Sequence, residues 1–178
     1  RIENTMLDES RGRVKIHLRK SLVAKKEMRL QVIGRCNFKC LFCHGEGTYD
    51  NKSGACAPER AVELLDESLK LGYRDITMTG GEPVLAPNTV AAILDWAGTH
   101  SELDRPELTL VTNASSLPDD LVHKLASYPG ALKVHVSLHS ANPSTFARIT
   151  RMPEKYFAVV CDNIRKLVDA GLRVKLNQ

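Results

Sequence analysis

The sequence predicts an α/β fold, with parallel βα repeats forming a partial, TIM-like (β/α) barrel that lacks its C-terminal unit or units. Three observations lead there. Short β-rich runs alternate with amphipathic helical stretches from Met28 onward, the runs recur roughly every 35 residues, and 178 residues make one domain but too few for eight units. Met28 to Ile33 reads as the first strand. Residues 58–71 follow as a helix, with Pro58 early in it and Gly72 just past its end. Next come a strand at 75–78, a helix at 88–97, a strand at 108–111 and a helix at 118–127. A strand at 132–137, a helix at 156–170 stopped by Gly171, and a strand at 172–176 complete five strands and four helices. Right-handed crossovers between them imply a parallel sheet, whose post-strand loops meet at one rim where chemistry is expected. The fifth strand presents an edge that a partner chain or a further segment is expected to cover.

Hydrophobic residues make up 43% and charged residues 26%, a globular balance that excludes disordered and collagen-like chains. No apolar run approaches the roughly 18 residues of a membrane helix. Arg1 to Ser10 is polar and shows no signal-peptide core, which points to the cytoplasm. The net charge of +4 is uneven: residues 1–28 hold eight Lys/Arg against four Asp/Glu, leaving 17 of each sign beyond. The chain therefore divides into a basic lead segment, 1–28, and a neutral core domain, 29–178. Arg11 to Lys20 reads as a solvated arm or edge strand, and without interleaved aromatics it argues against nucleic-acid binding.

Five cysteines stand at 36, 40, 43, 56 and 161, an odd number that suits no disulfide framework. Three fall within eight residues, as Cys36-Asn37-Phe38-Lys39-Cys40-Leu41-Phe42-Cys43, directly after the first strand. A C-x3-C-x2-C loop lets three thiolates converge, and on a [4Fe–4S] cube they would leave one iron open to an exogenous ligand. Zinc held with His44 as a fourth ligand is a rival, as is c-type haem at Cys40-x-x-Cys43-His44, although haem leaves Cys36 without a role. After the second strand comes Thr79-Gly80-Gly81-Glu82-Pro83, where two glycines permit close approach to a ligand and Glu82 offers a carboxylate to an ammonium group.

Together these segments resemble the radical S-adenosylmethionine (SAM) superfamily, whose marks are C-x3-C-x-φ-C after the first strand and Gly-Gly-Glu-Pro after the second. Phe42 fills the φ position. Phe42 to Gly47, Val136 to Ser140, Phe146 to Arg151 and Val174 to Asn177 are similar to the branch of molybdenum-cofactor GTP 3′,8-cyclases. The resemblance implies a [4Fe–4S] cluster on Cys36, Cys40 and Cys43, and SAM contacts from Phe42, Gly80, Gly81, Glu82 and Ser137, with Thr112 and Asn113 lining the same rim. Arg29 and Lys175 match positions that face substrate. It also implies reductive cleavage of SAM to a 5′-deoxyadenosyl radical that takes a hydrogen atom from a small molecule. The electron would come from a low-potential donor such as flavodoxin or ferredoxin.

Departures from that branch bear on substrate. Asp75-Ile76-Thr77-Met78 stands where the cyclases place cations, and Ala86 replaces a basic residue. A triphosphate is therefore expected to meet too few cations, which favours a smaller, less charged substrate of nucleotide or nucleoside type over GTP. Truncation of a cyclase is the alternative enzyme reading, and a zinc- or cluster-stabilised binding module is the non-enzyme one. Radical generation needs no acid–base pair, so His44, His135 and His139 read as hydrogen-bonding or core residues, with His139 nearest the rim. Cys56 reads as a free thiol in a polar loop, Cys161 as a small apolar residue within a helix, and Trp96 as core.

Overall fold

The computed structural model describes residues 26–43 and 54–177, and the backbone of 16–19. Strand β1 (Ile16–Arg19) runs antiparallel to β2 (Glu27–Ile33). From β2 the chain winds through β3 (Asp75–Gly80), β4 (Glu107–Thr112), β5 (Leu132–Ser137) and β6 (Arg173–Asn177), each parallel to the one before. The sheet order is therefore β1-β2-β3-β4-β5-β6. Between the parallel strands lie helices α1 (Pro58–Lys70), α2 (Pro87–Gly98), α3 (Asp119–Ala126) and the pair α4 (Pro143–Thr150) and α5 (Lys155–Asp169). Sequential winding with right-handed crossovers puts these helices on one face, as in a barrel wall that stays open.

Alternation along the strands separates the faces. Met28, Leu30 and Val32 of β2, Ile76 and Met78 of β3, Leu108 and Leu110 of β4, and Val134 and Val136 of β5 are buried in one cluster with Leu65, Ile93 and Leu125 of the helices. Helix ends follow local chemistry. In α1, Pro58 opens the first turn, Glu59 and Lys70 sit at the ends that suit their charges, and Gly72 turns the chain at φ +84°.

The five parallel strands and the four expected helices stand within about two residues of their expected bounds. Two elements differ. Helix α4 was absent from the expectation because its eight residues hold too short an apolar pattern. Its signal was local: Asn142 Oδ1 accepts from the Thr145 amide at 3.0 Å, Pro143 takes the first turn, and Arg151 closes the helix at φ +55°. The second is the lead segment, in which residues 16–19 form an edge strand, the second of the two readings given above, and Glu27, counted there with the lead segment, already belongs to β2. The rest of Arg11 to Lys20 and the whole of Arg1 to Ser10 lie outside the described residues.

Phe146 of α4 is fully buried, edge-on to Phe38 at 6.1 Å and to Phe157 of α5 at 5.7 Å. Phe146→Ala should lower unfolding stability by about 3–5 kcal/mol. Leu103→Ala, at a side chain 96% exposed, should stay within about 0.5 kcal/mol of the parent in the same urea titration.

Candidate functional site

The cysteine loop leaves β2 and hangs from α4. A helix leaves its last carbonyls without intrahelical partners, and here those of Ile149 and Thr150 accept from the amides of Leu41 (2.9 Å) and Lys39 (3.1 Å). Phe38 plugs the loop into the core at 2% exposure, edge-on to Phe146 and to Tyr156 at 5.9 Å. Cys36 and Cys40 are half-buried and Cys43 is exposed, all three as free thiols. Burial pushes the Cys36 and Cys40 thiols up, and the neighbouring thiols add to this; Cys40 reaches about 11. Phe42 is 41% exposed and its ring lies 4.0 Å from that of His139, which sits at φ +58° just after β5.

The Gly80-Gly81 pair lies close against this loop. A Cβ on Gly80 would stand 2.2 Å from the Ile33 carbonyl oxygen, and one on Gly81 2.1 Å from that of Arg35. The Gly81 amide donates to Ile33 O at 2.7 Å and the Glu82 amide to Arg35 O at 2.9 Å. Glycine is required at both positions because two backbones touch where β3 ends beside β2.

Glu82 is buried at the same junction, its side chain 1% exposed. The carboxylate accepts from Thr112 Oγ1 (2.6 Å), the Asn113 amide (2.6 Å) and the Val84 amide (3.3 Å). Burial pushes its pKa up to about 7, against the pull of these three donors. Thr112 is held in the same way: 2% exposed, it donates to Glu82 and accepts from the Ala114 amide at 2.9 Å. Asn113 reaches the loop instead, donating from Nδ2 to Asn37 Oδ1 at 2.9 Å and to Cys36 Sγ at 3.9 Å. Asn37 in turn donates to Ser115 Oγ at 2.8 Å. Sequence reasoning passed over Asn37, Ser115 and Asn163, whose Nδ2 holds the Ala114 carbonyl at 2.8 Å. No local spacing marks them, because each partner lies at least 49 residues away.

Ser137, half-buried, ends β5 opposite Asn177 of β6, at the same end of the sheet as the loop. Below it, strand register assembles the concave face in rows. Glu27, Asp75 and Glu107 form one row; Arg29, Thr77, Thr109, Lys133 and Arg173 form the next. Then come Val111, His135 and Lys175. Burial lowers the His135 pKa first, and the positive charges of Lys175, Lys133 and Arg29 lower it further, which places these groups around one another. Arg29 and Lys175 share this face with Lys133 and Arg173, brought there by register from strands far apart in sequence. Lys133 also stands 3.5 Å from Glu107.

The model of the radical SAM superfamily matches residues 30–177. The chain belongs to that superfamily. Among similar proteins are a GTP 3′,8-cyclase of Rhizobium etli (33% identical over 152 residues) and a probable GTP 3′,8-cyclase of Saccharolobus solfataricus (31% over 153). These alignments cover 84% and 85% of this chain but 42% and 47% of those proteins, so the chain spans less than half their length. Two solved structures share the fold. AdoMet-bound anSMEcpe gives a TM-score of 0.68 at 16% identity, covering 83% of this chain and 42% of that one. Streptococcus suis SuiB bound to the precursor peptide SuiA gives 0.67 at 17%, covering 83% and 31%.

Radical SAM enzymes work with a [4Fe–4S] cluster and SAM, and the cysteine loop fits such a cube. Among the described residues no three His, Cys, Asp or Glu side chains are gathered as around a single metal ion. A cube takes each thiolate on a different iron, which the three cysteines of the C-x3-C-x2-C loop can supply. His44, the fourth ligand of the zinc reading, lies outside the described residues. No helix among the described residues is long and apolar enough to cross a membrane.

The Glu82 carboxyl gives a pH dependence with a definite sign. Its folded pKa of about 7 exceeds the 4.5 of a solvated glutamate, so the folded chain binds the proton more tightly. The group's contribution to stability is full below about pH 4.5 and is lost as pH rises through 7, by about 3 kcal/mol. In urea titrations of the apoprotein, the stability gap between the parent and Glu82→Ala should be wider at pH 5 than at pH 7.5.

Proposed function

We propose that this chain is the catalytic core of a radical SAM enzyme acting on an anionic substrate held on the concave face of its sheet. One observation carries the reading: the register row that holds Arg29 at one end and Lys133 beside Arg173 at the other, with Thr77 and Thr109 between them and Lys175 one row nearer the cysteine loop. In it, Cys36, Cys40 and Cys43 hold a [4Fe–4S] cluster, while SAM meets Phe42, the backbone of Gly80 and Gly81, and Ser137. When bound, cluster and SAM together supply a radical able to take a hydrogen atom from an unactivated C–H bond. The chain's own residues do the rest. Phe38 and the α4 carbonyls fix the loop, Glu82 fixes the strand ends beneath it, and the cations orient the substrate's charged end. The residue 16–19 strand extends the edge of the 29–178 core. A low-potential flavodoxin or ferredoxin suits the electron supply.

Reach favours a substrate longer than a simple small acid. From the Lys133 row to Ser137 is four residues, about 13 Å along a strand at roughly 3.3 Å per residue. A molecule anchored by charge in that row must span this distance to present a C–H bond at the rim, as a nucleotide does. The names of the cyclase relatives favour GTP itself as a second reading.

Two experiments test the proposal. Cys36→Ala, Cys40→Ala and Cys43→Ala should each lose the roughly four irons per chain of anaerobically reconstituted parent, whereas Cys56→Ala and Cys161→Ala should keep them. Parent-level iron in Cys40→Ala would reject the ligand set. For the substrate, inorganic triphosphate should bind the parent, with affinity reduced at least tenfold in Arg173→Ala, the scale of one charge-assisted contact. Unchanged affinity removes the anion site. Deuterium passing from ribose-labelled GTP into 5′-deoxyadenosine assigns the cyclase reaction, and GTP binding without transfer rejects GTP as substrate.

A further inference from the structure

Resting on the cluster assignment above, we propose that Asn113 is a positioning residue whose side-chain amide donates a hydrogen bond to the Cys36 thiolate, setting the potential at which a bound cluster accepts its electron. Asn113 is 7% exposed, and every polar atom of its side chain is committed. Oδ1 accepts from the Ser115 amide at 2.9 Å. A backbone N–H can only donate, so this contact fixes which end of the side-chain amide is oxygen and turns Nδ2 toward the loop. One N–H then meets Asn37 Oδ1 at 2.9 Å and the other points to Cys36 Sγ at 3.9 Å, within reach of the large, diffuse acceptor that sulfur is.

The amide cannot swing away. Asn37 is locked in turn by its own bond to Ser115 Oγ, and the Asn113 backbone is pinned to the Glu82 carboxylate. Cys36 Sγ also accepts from the Phe38 amide at 3.4 Å. A thiolate carrying two N–H donors gives less electron density to iron. The reduced cluster, with one more negative charge, is stabilised by those donors more than the oxidised cluster, so the midpoint rises. Asn113 reaches this sulfur from the end of β4, 77 residues from Cys36, so the bond also ties the ligand to the strand that frames the substrate face.

The test is an EPR-monitored redox titration of the anaerobically reconstituted chain without SAM, which reads potential and not turnover. Asn113→Ala should load iron like the parent and show a lower midpoint, by about 59 mV for a tenfold loss in the reduced-to-oxidised ratio at fixed poise. Asn113→Asp keeps the acceptor for Ser115 and replaces the donor by negative charge, so its midpoint should fall at least as far. Asn163→Ala, which removes a nearby bond that does not touch sulfur, should leave the midpoint unchanged. An unaltered midpoint in either loaded Asn113 variant overturns the proposal. Failure of both to load iron, with parent and Asn163→Ala loading normally, assigns Asn113 to building the loop and overturns the tuning role. Failure of the parent itself to load iron rejects the cluster reading instead.

Discussion

The carboxylate of Glu82 joins the C-terminal ends of β3 and β4, and the cysteine loop rests on that junction. Taking an ionised carboxylate out of water costs several kcal/mol. Three hydrogen bonds to it, each contributing roughly 1.5–3 kcal/mol, offset that cost while Thr112 Oγ1 and the Asn113 and Val84 amides stay in place. The balance is close, which is why burial still carries the pKa to about 7. Because the Gly81 and Glu82 amides are also bonded to the carbonyls of Ile33 and Arg35, moving Glu82 would move the root of the loop one residue before Cys36.

The loop itself borrows order from elements that are already rigid. It has no secondary structure of its own between Asn37 and Cys43 beyond the turn that brings the Cys43 amide to the Cys40 carbonyl at 3.2 Å. Orphan carbonyls at the end of α4, the Phe38 ring in the α4–α5 core and the Asn37–Asn113–Ser115 amides hold it from three sides. Such support suits a site that must keep three thiolates in fixed relation, since residues locked by packing and by outer hydrogen bonds hold geometry better than a free loop.

What the sequence disclosed and what it hid divide along one line. The strand periodicity, the Pro and Gly that bound α1, the C-x3-C-x2-C spacing and Gly80-Gly81-Glu82-Pro83 are local patterns, and they gave the fold and the loop ends where chemistry gathers. Roles that depend on partners far along the chain were not legible. That Gly80 and Gly81 also make room for the Ile33 and Arg35 carbonyls, and that Glu82 is buried among donors from β4, shows only in the folded chain. Lys133 and Arg173 carry no motif, and they share a row with Arg29 because of four pairings across five strands. A one-residue slip in any of those pairings would send them to the helix face. Helix α4 is a different case: its Asn142-Pro143 start was readable, and a search tuned to longer amphipathic runs passes over it.

That the concave face stays polar is itself informative about where the fold spends stability. Thr77, Thr79 and Thr109 are at most 7% exposed there, at positions where a packed barrel would carry branched apolar residues. Around them stand like charges close enough to hold down the pKa of His135. Each such pair repels by about 1 kcal/mol even in water at 4 Å, and more where the dielectric is lower. The acidic row of Glu27, Asp75 and Glu107 relieves part of this repulsion but lies on the far side of the cations from the cysteine loop. The carboxylates thus stand at the bottom of the sheet and the cations nearer the rim. A folded chain keeps local conflicts of this kind where a bound ligand resolves them, and here the like charges lie on the sheet face away from the helices, along the strands that lead to the three thiols.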